Sequence, residues 1–332
     1  MSAPPCPKAM VHGPCGGVAE DGCCEVAPEP CSFLPLPTVR WAGRPVAPVT
    51  PEPPLLQLMR QRPVVVADLP AVALSRWSLE RAAGFVAGRV DAVLLGDHAA
   101  ARVQFCPTYR ASIVQAAGVT VWQGLNCRDR NRVALEGELA GLADLGVGAV
   151  HCVTGDHTLT GDRPDAQPVF DWDSTQLAAA ARAAGLLVSV GETPHGPPAD
   201  RRPRRLAEKV RAGAQVCFVD HAGGVEELRT FVEQATDAGA DVPFIACVAV
   251  ATDPGSVAEL RRFTGLRLPE GYLAGIEGAR DPFRAGIAAA VALAEAYLEV
   301  PGVRGVDLSG VAAPGTELTT ATALAEIGRA LS

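Results

Sequence analysis

The sequence is poor in aromatic residues and in positive charge, and it has no long uninterrupted apolar run. Aromatic residues make up only 5 % of the 332 residues, although 48 % are hydrophobic, so the core must be built mainly from Ala, Val and Leu. The net charge of −8 argues against nucleic-acid binding as the main task. A local basic run, Arg201 to Arg205, is interpreted as a solvated helix start and does not change that conclusion.

The sequence also shows no secretory or membrane-spanning segment. The first residues, Met1 to Pro7, lack an apolar stretch behind a basic one. The best apolar helix candidate, Ala285 to Leu298, is interrupted by Glu295 and is too short to span a bilayer. We therefore expect a cytoplasmic protein that acts without a membrane.

Cysteine is distributed unevenly along the chain. Five of the ten cysteines lie within the first 31 residues. Thiols stay reduced in the cytosol, so a cluster of them indicates metal binding more than disulfides. Four thiolates can make a closed tetrahedral site of the structural kind, and neighbouring glycines allow the tight turns that point sulfur atoms inward.

Composition divides the chain into three zones. Residues 1–34 are rich in Cys, Gly and Pro and form the expected zinc module. Residues 35–62 are a Pro-rich connection with a short helical patch, Leu55 to Arg60. Residues 63–332 alternate strand-like apolar runs with helical patterns, as expected for one large barrel.

Eight short apolar runs in the third zone predict parallel strands that are covered on both faces. They are Val64–Asp68, Ala92–Gly96, Thr120–Leu125, Ala149–Thr154, Leu186–Gly191, Gln215–Asp220, Pro243–Val250 and Gly302–Leu308. Glycines where helices should end, with a positive φ, are Gly118, Gly146, Gly185, Gly213 and Gly239. The pattern predicts an α/β fold, a (β/α)8 TIM barrel. An open doubly wound sheet is the alternative, but no glycine-rich phosphate fingerprint follows the first strand.

Acidic residues close six of these strands, where the chemistry of such barrels lies. They are Asp68, Asp97, Asp156, Glu192, Asp220 and Asp307. Each one alone is readily explained as a helix cap or a loop carboxylate. Together, converging carboxylates would raise one another's pKa, stabilise a cationic intermediate or bind a hard metal ion.

Several segments of this zone resemble methylenetetrahydrofolate reductases, in order and in register over residues 63–330. They are CRDRN at 127–131, VTGD at 153–156, GDRP at 161–164, PVFDWDS at 168–174 and EKVRAGA at 208–214. The resemblance implies a TIM barrel that binds tetrahydrofolate and reduces 5,10-methylenetetrahydrofolate to 5-methyltetrahydrofolate with NAD(P)H. In that reaction an acid opens the five-membered ring and leaves an iminium carbon that accepts hydride.

The first zone is similar to a second pattern, a zinc-binding module that is fused to or paired with reductases of this family. The matching segments are CPK at 6–8, GPCGG at 13–17, CEV at 24–26 and the last cysteine of the cluster. The resemblance implies four structural Zn²⁺ ligands, with Cys23 as the spare thiol because the motif places its cysteine directly before Glu25. The four are Cys6, Cys15, Cys24 and Cys31.

The family resemblance also implies roles for single residues. Asp68 stands near the position of the family's general acid, a Glu, and is expected to be catalytic together with Asp156. The expected cofactor-binding residues are Thr154, Gly155, Asp156 and Lys209. The expected substrate-binding residues are Glu192, Phe263, Asp220 in place of a Gln, and Glu259 in place of another Gln.

The positions of flavin contacts depart from the family pattern. Gly96, Gly124 and Thr193 stand where Thr, His and Tyr are common, so we expect FAD to be bound weakly or not at all. Two alternatives to a reductase follow. One is a folate-dependent transferase that passes the methylene carbon to another acceptor without reduction, and the other is a non-catalytic subunit that docks to a partner through its zinc module. The choice of NADH or NADPH and the oligomeric state stay open.

Overall fold

Eight parallel strands close into a barrel in the computed structural model, which describes residues 6–44, 51–97, 101–262 and 266–332. The strands are β3 (Val64–Asp68), β4 (Ala92–Leu95), β5 (Val121–Asn126), β6 (Ala149–Val153), β7 (Val188–Glu192), β8 (Val216–Val219), β9 (Phe244–Val250) and β10 (Val303–Gly310). Neighbours follow chain order, and β10 pairs back onto β3. The predicted (β/α)8 barrel is therefore confirmed, and the open sheet is wrong.

Helices follow the strands and surround the barrel. They are α1 (Pro54–Gln61), α2 (Arg76–Val86), α3 (Pro107–Gln115), α4 (Arg132–Leu145), α5 (Ser174–Ala183), α6 (Arg202–Ala212), α7 (Val225–Asp237), α8 (Pro254–Leu260), α9 (Tyr272–Glu277), α10 (Pro282–Leu298) and α11 (Glu317–Ala330). No helix within the described ranges is both long and apolar enough to cross a membrane.

Caps explain where one of these helices starts and stops. The side chain of Asn131 accepts a hydrogen bond from the Ala134 amide, 3.1 Å away, at the start of α4. Gly146 ends that helix with φ of 69°, a left-handed conformation that glycine adopts without a Cβ penalty. The other four glycines predicted to end helices also have positive φ, so that prediction is confirmed.

Two apolar cores result from the alternation of side chains along the strands. The larger core lies between the strands and the outer helices. The smaller one fills the barrel, where Trp122 packs edge-on against Phe218 with ring centroids 5.0 Å apart. Leu55 and Met59 of α1 belong to this inner core. The helical patch in the Pro-rich connection thus packs two side chains against the inner core and is not a loose spacer.

The cysteine-rich residues 6–44 carry a small antiparallel hairpin, β1 (Cys23–Cys24) and β2 (Ala27–Pro30). Residues 6–44 contact the loops at the carboxyl ends of the barrel strands. The backbone amides of Val11 and His12 donate to one oxygen of Asp173, at 3.0 and 2.6 Å. Asp173 uses its other oxygen to cap α5, so one buried carboxylate joins the N-terminal segment to the barrel.

Candidate active site at the mouth of the barrel

A carboxyl cluster lies inside the barrel near the carboxyl ends of the strands. Asp307 of β10 is 2 % exposed and pairs in register with Cys247 of β9. The Cys247 thiol donates to Asp307 Oδ2 over 3.7 Å. The other oxygen of Asp307 has no hydrogen-bond partner among the described residues. Asp68 and Asp220 act electrostatically on the same carboxyl group, so three of the six strand-end acids do converge.

Burial raises the pKa of two carboxyl groups in this cluster. Burial, together with the charge of Asp220, raises the pKa of Asp68 to about 7, against a hydrogen bond from Ser309 that lowers it. Burial and the charge of Asp68 raise the pKa of Asp307 well above its ordinary value. No cation contributes to either shift. A carboxyl group in such surroundings can serve as a proton donor.

A layer of polar side chains lies beneath the carboxyl groups, and the sequence analysis did not single it out. Ser189 Oγ accepts a hydrogen bond from Trp122 Nε1 at 2.8 Å and lies 2.8 Å from His151 Nδ1. Burial, aided by the charge of Lys209, lowers the pKa of His151 to about 3, so the ring is neutral. Alternating polar residues in β6 and β7 were the available signal, because alternate residues of a barrel strand face the interior.

Hydrogen bonds of the CRDRN segment connect the ends of β4, β5 and β6. The fully buried Arg128 donates to Asp97 at 3.0 Å and to Asp129 at 2.6 and 2.8 Å. It also reaches the backbone oxygen of Asp156, 3.4 Å away. Asn126 donates to both oxygens of Asp97 at 2.8 and 3.0 Å. Asp97 is therefore engaged in holding the rim together and does not join the inner carboxyl cluster.

The turn after β6 carries three of the predicted cofactor-binding residues. Gly155 has φ of 88°, and Thr154 Oγ1 accepts from the Ser174 amide at 3.1 Å. The side chain of Asp156 is exposed at the mouth. The geometry therefore leaves Asp156 accessible to a ligand, and its catalytic and cofactor-binding roles stay predictions.

Glu192 points the other way, out of the barrel and onto α6. It is 3 % exposed and pairs with Arg202 at 3.2 Å, Arg205 at 2.8 Å and Lys209 at 2.9 Å. Burial would raise the pKa of Glu192, but these cations outweigh it and lower the pKa to about 2. Glu192 does not join the inner carboxyl cluster, so the expected convergence of all six acids is wrong at this strand.

The cations around Glu192 correct another interpretation. Arg202 and Arg205 are buried, so a solvated helix start is wrong for these two residues. Lys209 also donates to the backbone oxygen of Gly191, and its burial lowers its pKa to about 8. The cofactor-binding role of Lys209 and the substrate-binding role of Glu192 stay predictions, and in the structure these two side chains are paired with each other at 2.9 Å.

Two of the remaining predicted substrate-binding residues, Asp220 and Glu259, lie on different elements of the described structure. Asp220 follows β8, is exposed, and accepts a hydrogen bond from Thr193 Oγ1 at 3.4 Å. Glu259 of α8 pairs with Arg262 at 2.8 Å. Phe263 lies outside the described residues. Among the described members of this group, only Asp220 is electrostatically coupled to the inner carboxyl cluster.

The four predicted zinc ligands share one cavity. Its lining includes Cys6, Cys15, Cys24 and Cys31, but not Cys23. The thiols act on one another electrostatically: Cys15 and Cys24 act on Cys6, and all three act on Cys31. Four thiolates are a donor set that suits a soft divalent ion. Even so, no group of three or more His, Cys, Asp or Glu side chains in the described part of the chain is arranged to hold a metal ion. That result covers the inner carboxylates as well, and it gives no support to a hard metal there.

The positions expected to contact flavin differ from one another. A Cβ atom at Gly124 would lie 2.8 Å from the Leu95 backbone oxygen and 3.0 Å from Gly96 Cα, so β4 leaves no room for a side chain there. A Cβ atom at Gly96 would meet nothing within 4 Å. The His that is common at position 124 is therefore sterically excluded in this chain, whereas the Thr at position 96 is merely absent. These residues do not fit the usual flavin contacts.

The fold and the acidic mouth define a TIM-barrel protein with its candidate site at the carboxyl-terminal face. The family model for methylenetetrahydrofolate reductase matches residues 89–307, well over half of the chain. The chain belongs to this family. No curated protein matches its sequence significantly.

Solved structures share the fold at low sequence identity. An uncharacterized protein from Clostridium thermocellum, described as binding two copies of 5-methyl-5,6,7,8-tetrahydrofolic acid, has a TM-score of 0.57 and 11 % identity, over 83 % of this chain and 99 % of that chain. A 2,3-dimethylmalate lyase of the PEP mutase/isocitrate lyase superfamily has a TM-score of 0.47 and 13 % identity, over 76 % of this chain and 79 % of that one. The first likeness concerns the fold alone, and the second is too distant to bear on function.

Proposed function

We propose that this protein binds 5,10-methylenetetrahydrofolate at the mouth of its barrel and reduces it to 5-methyltetrahydrofolate with NAD(P)H. A proton given to N10 allows the bond between N10 and the methylene carbon to break, which leaves an N5 iminium cation. Hydride from the nicotinamide then adds to the methylene carbon. Family membership supports the substrate, and the folate ligand of the C. thermocellum protein is consistent with it.

The observation that carries this proposal is the position of Asp68, a carboxyl group inside the mouth of the barrel among other carboxyl groups, where burial raises its pKa to about 7. A general acid works best when its pKa lies near the working pH. Asp68 lies at the end of β3, next to Ser309 and within electrostatic range of Asp220. At neutral pH a large fraction of Asp68 is protonated and able to donate to N10.

The carboxyl cluster also suits the cation that ring opening creates. Asp220 is exposed at the rim, and Asp156 is exposed on the turn after β6. Negative groups that are already in place stabilise a developing positive charge without reorganisation. We assign Asp156 and Asp220 to the binding of the folate and its iminium form.

A direct hydride transfer from the nicotinamide is the form of the reaction that we favour. The backbone of β4 leaves no space for a side chain at Gly124, and Thr193 is hydrogen-bonded to Asp220. Two common flavin contacts are therefore replaced by residues with other roles. We propose that FAD is not required for turnover.

Turnover of purified protein tests the proposal. We expect NADH or NADPH to be oxidised when methylenetetrahydrofolate is present, without added FAD, and 5-methyltetrahydrofolate to appear in equal amount. Asp68→Asn should lower kcat/KM by about 10²–10⁴-fold, the usual contribution of a general acid. Asp144→Asn, an exposed position on α4, is the matched control. Absence of nicotinamide oxidation both with and without FAD would reject the reductase.

Gly124 also favours one alternative, a transferase that passes the methylene carbon to another nucleophile. A folate site that lacks a usual flavin contact also suits a reaction without a redox step. Loss of methylenetetrahydrofolate in the absence of any nicotinamide would support the transferase. Strict dependence of that loss on NADH or NADPH would exclude it.

We further propose that the N-terminal thiols bind one structural Zn²⁺ ion. Support comes from the shared cavity of Cys6, Cys15, Cys24 and Cys31. Purified protein should contain about one zinc per chain, the stoichiometry of a four-thiolate site. Cys24→Ser should lose most of the metal, whereas the adjacent Cys23→Ser should keep it. Equal zinc content in both variants, or none in the wild type, would overturn this assignment.

A further inference from the structure

Three separate motifs of the N-terminal segment meet at one carboxylate. Lys8 of the CPK motif pairs with Glu25 of the CEV motif, with Nζ and Oε1 2.6 Å apart. Gly17 of the GPCGG motif lies against the same group, since a Cβ atom there would be 1.8 Å from Glu25 Oε2. Glycine is therefore required at position 17 for Glu25 to hold its present position.

This carboxylate is bonded to the barrel as well as to its own segment. Glu25 Oε1 accepts a hydrogen bond from the His157 backbone amide at 3.1 Å. His157 directly follows Asp156, and the charge of Asp156 also acts on the Lys8 ammonium group. The pair of Lys8 and Glu25 thus holds the turn that presents Asp156 at the mouth.

The anchoring contacts of the segment make this arrangement stiff. Arg202 of α6 donates to the backbone oxygens of Cys15, at 2.9 Å, and Pro14, at 3.4 Å. Arg202 is itself fixed by Glu192 on β7. The Trp41 amide donates to Glu208 at 2.8 Å. The segment is therefore tied to α6 on one side and to the turn after β6 on the other.

We infer that Lys8 and Glu25 are positioning residues for the turn that carries Asp156, so that the cysteine-rich segment forms one wall of the active site. The segment then contributes to the active site of the barrel and is not an independent appendage. The inference deepens the proposed function and depends on it only for the activity readout. The buried Lys8 acts through Glu25 and the His157 amide.

Hydrogen exchange of backbone amides tests the positioning without any substrate. In Glu25→Ala the peptide that covers residues 154–159 should exchange at least about 10-fold faster, because its anchored amide loses its acceptor. Glu20→Gln is the matched control. It removes another ion pair between the segment and the barrel, that of Glu20 with Arg267 at 3.1 Å, and should leave this peptide unchanged.

A second pair of variants separates positioning from general damage to the segment. Lys8→Met should lower kcat/KM by about 10-fold or more, since small misplacements of a site residue have effects of this order. Lys8→Arg, which keeps the charge, should recover most of that loss. Gly17→Ala should reproduce the exchange result of Glu25→Ala, because it displaces the carboxylate.

The outcomes of these tests are distinct. Unchanged exchange of residues 154–159 in both Glu25→Ala and Gly17→Ala, with zinc content and thermal midpoint preserved, would overturn the inference. Equal exchange in Glu25→Ala and Glu20→Gln would do the same, because the effect would then belong to docking in general. Faster exchange in Glu25→Ala and Gly17→Ala, together with a wild type that shows no folate activity, would reject only the proposed function.

Discussion

Two acidic strand ends of this barrel lie in opposite surroundings. Asp68 faces the interior, where its neighbours are other carboxyl groups and its pKa rises to about 7. Glu192 faces outward between β7 and α6, where three cations lower its pKa to about 2. The two residues have the same chemistry and lie at the same end of the barrel. The difference shows that the face of the strand, more than the residue type, decides whether a carboxylate supports the fold or the chemistry.

The largest effect on folding should follow loss of the Glu192 charge. Glu192→Gln leaves three cations without their partner, and breaking a buried pair in this way costs about 3–5 kcal/mol. Urea unfolding at neutral pH measures it. Glu136→Gln, which breaks the exposed pair of Arg132 and Glu136 at 3.0 Å, should cost only about 0.3–0.5 kcal/mol. Equal losses in the two variants would contradict the comparison.

The pH dependence of that contribution has a definite sign. The pKa of Glu192 is lowered from 4.5 to about 2 on folding. Its stabilising effect is therefore complete above about pH 4.5 and is lost as the pH falls towards 2. The excess instability of Glu192→Gln over the wild type should shrink across this range.

Asp68 should show the opposite dependence, with a smaller effect. Its pKa is raised from 3.8 to about 7, so the folded state loses stability as the pH rises through that range. Asp68→Asn should raise the free energy of unfolding at about pH 8 by on the order of 1–3 kcal/mol and change it little at about pH 4. Urea unfolding at both pH values checks this. A loss of stability at the higher pH would contradict it.

Asp220 should affect the pH profile of the reaction more modestly. Its negative charge contributes to the raised pKa of Asp68, so Asp220→Asn should lower that pKa. The alkaline limb of the profile of kcat/KM should move to lower pH by a few tenths to about one pH unit. A limb that stays in place, or moves to higher pH, would show that Asp220 does not act on the catalytic proton.

The smallest effect should come from Asp307. Its pKa lies well above the ordinary value because of burial and the charge of Asp68, so its surroundings favour the neutral acid, which an amide of the same shape replaces closely. Asp307→Asn should therefore change the free energy of unfolding by less than about 1 kcal/mol. A loss as large as that of Glu192→Gln would mean that Asp307 is ionised and paired, and it would remove the contrast between the two environments.

The sequence predicted the strands and the helix-ending glycines well, because both depend on local patterns such as apolar runs and positive φ. The prediction of converging acids is wrong at Glu192, because residue type and strand position alone do not distinguish the two faces of a strand. The sequence does contain the signal for the outward placement of Glu192. Alternation places Glu192 on the same face as Val188 and Val190, and the cations of α6 are spaced by three and four residues along one face of that helix.

The placement of the N-terminal segment could not be predicted in the same way. Its contacts with Asp173 join residues that are 161 and 162 positions apart. No local period or spacing reports such a pairing. The motifs pointed to the cysteines and left unexplained why Lys8, Gly17 and Glu25 accompany them, since their common role appears only when His157 lies beside them.

The dependence of the segment on Asp173, Arg202 and Arg267 has a consequence for synthesis. Residues of the segment are made well before their partners, because Glu20 precedes Arg267 by 247 positions. Before those partners are made, the segment cannot form its contacts with the barrel. Since a domain generally folds as a unit, the segment can dock only once the barrel residues that hold it, up to Arg267, have been made.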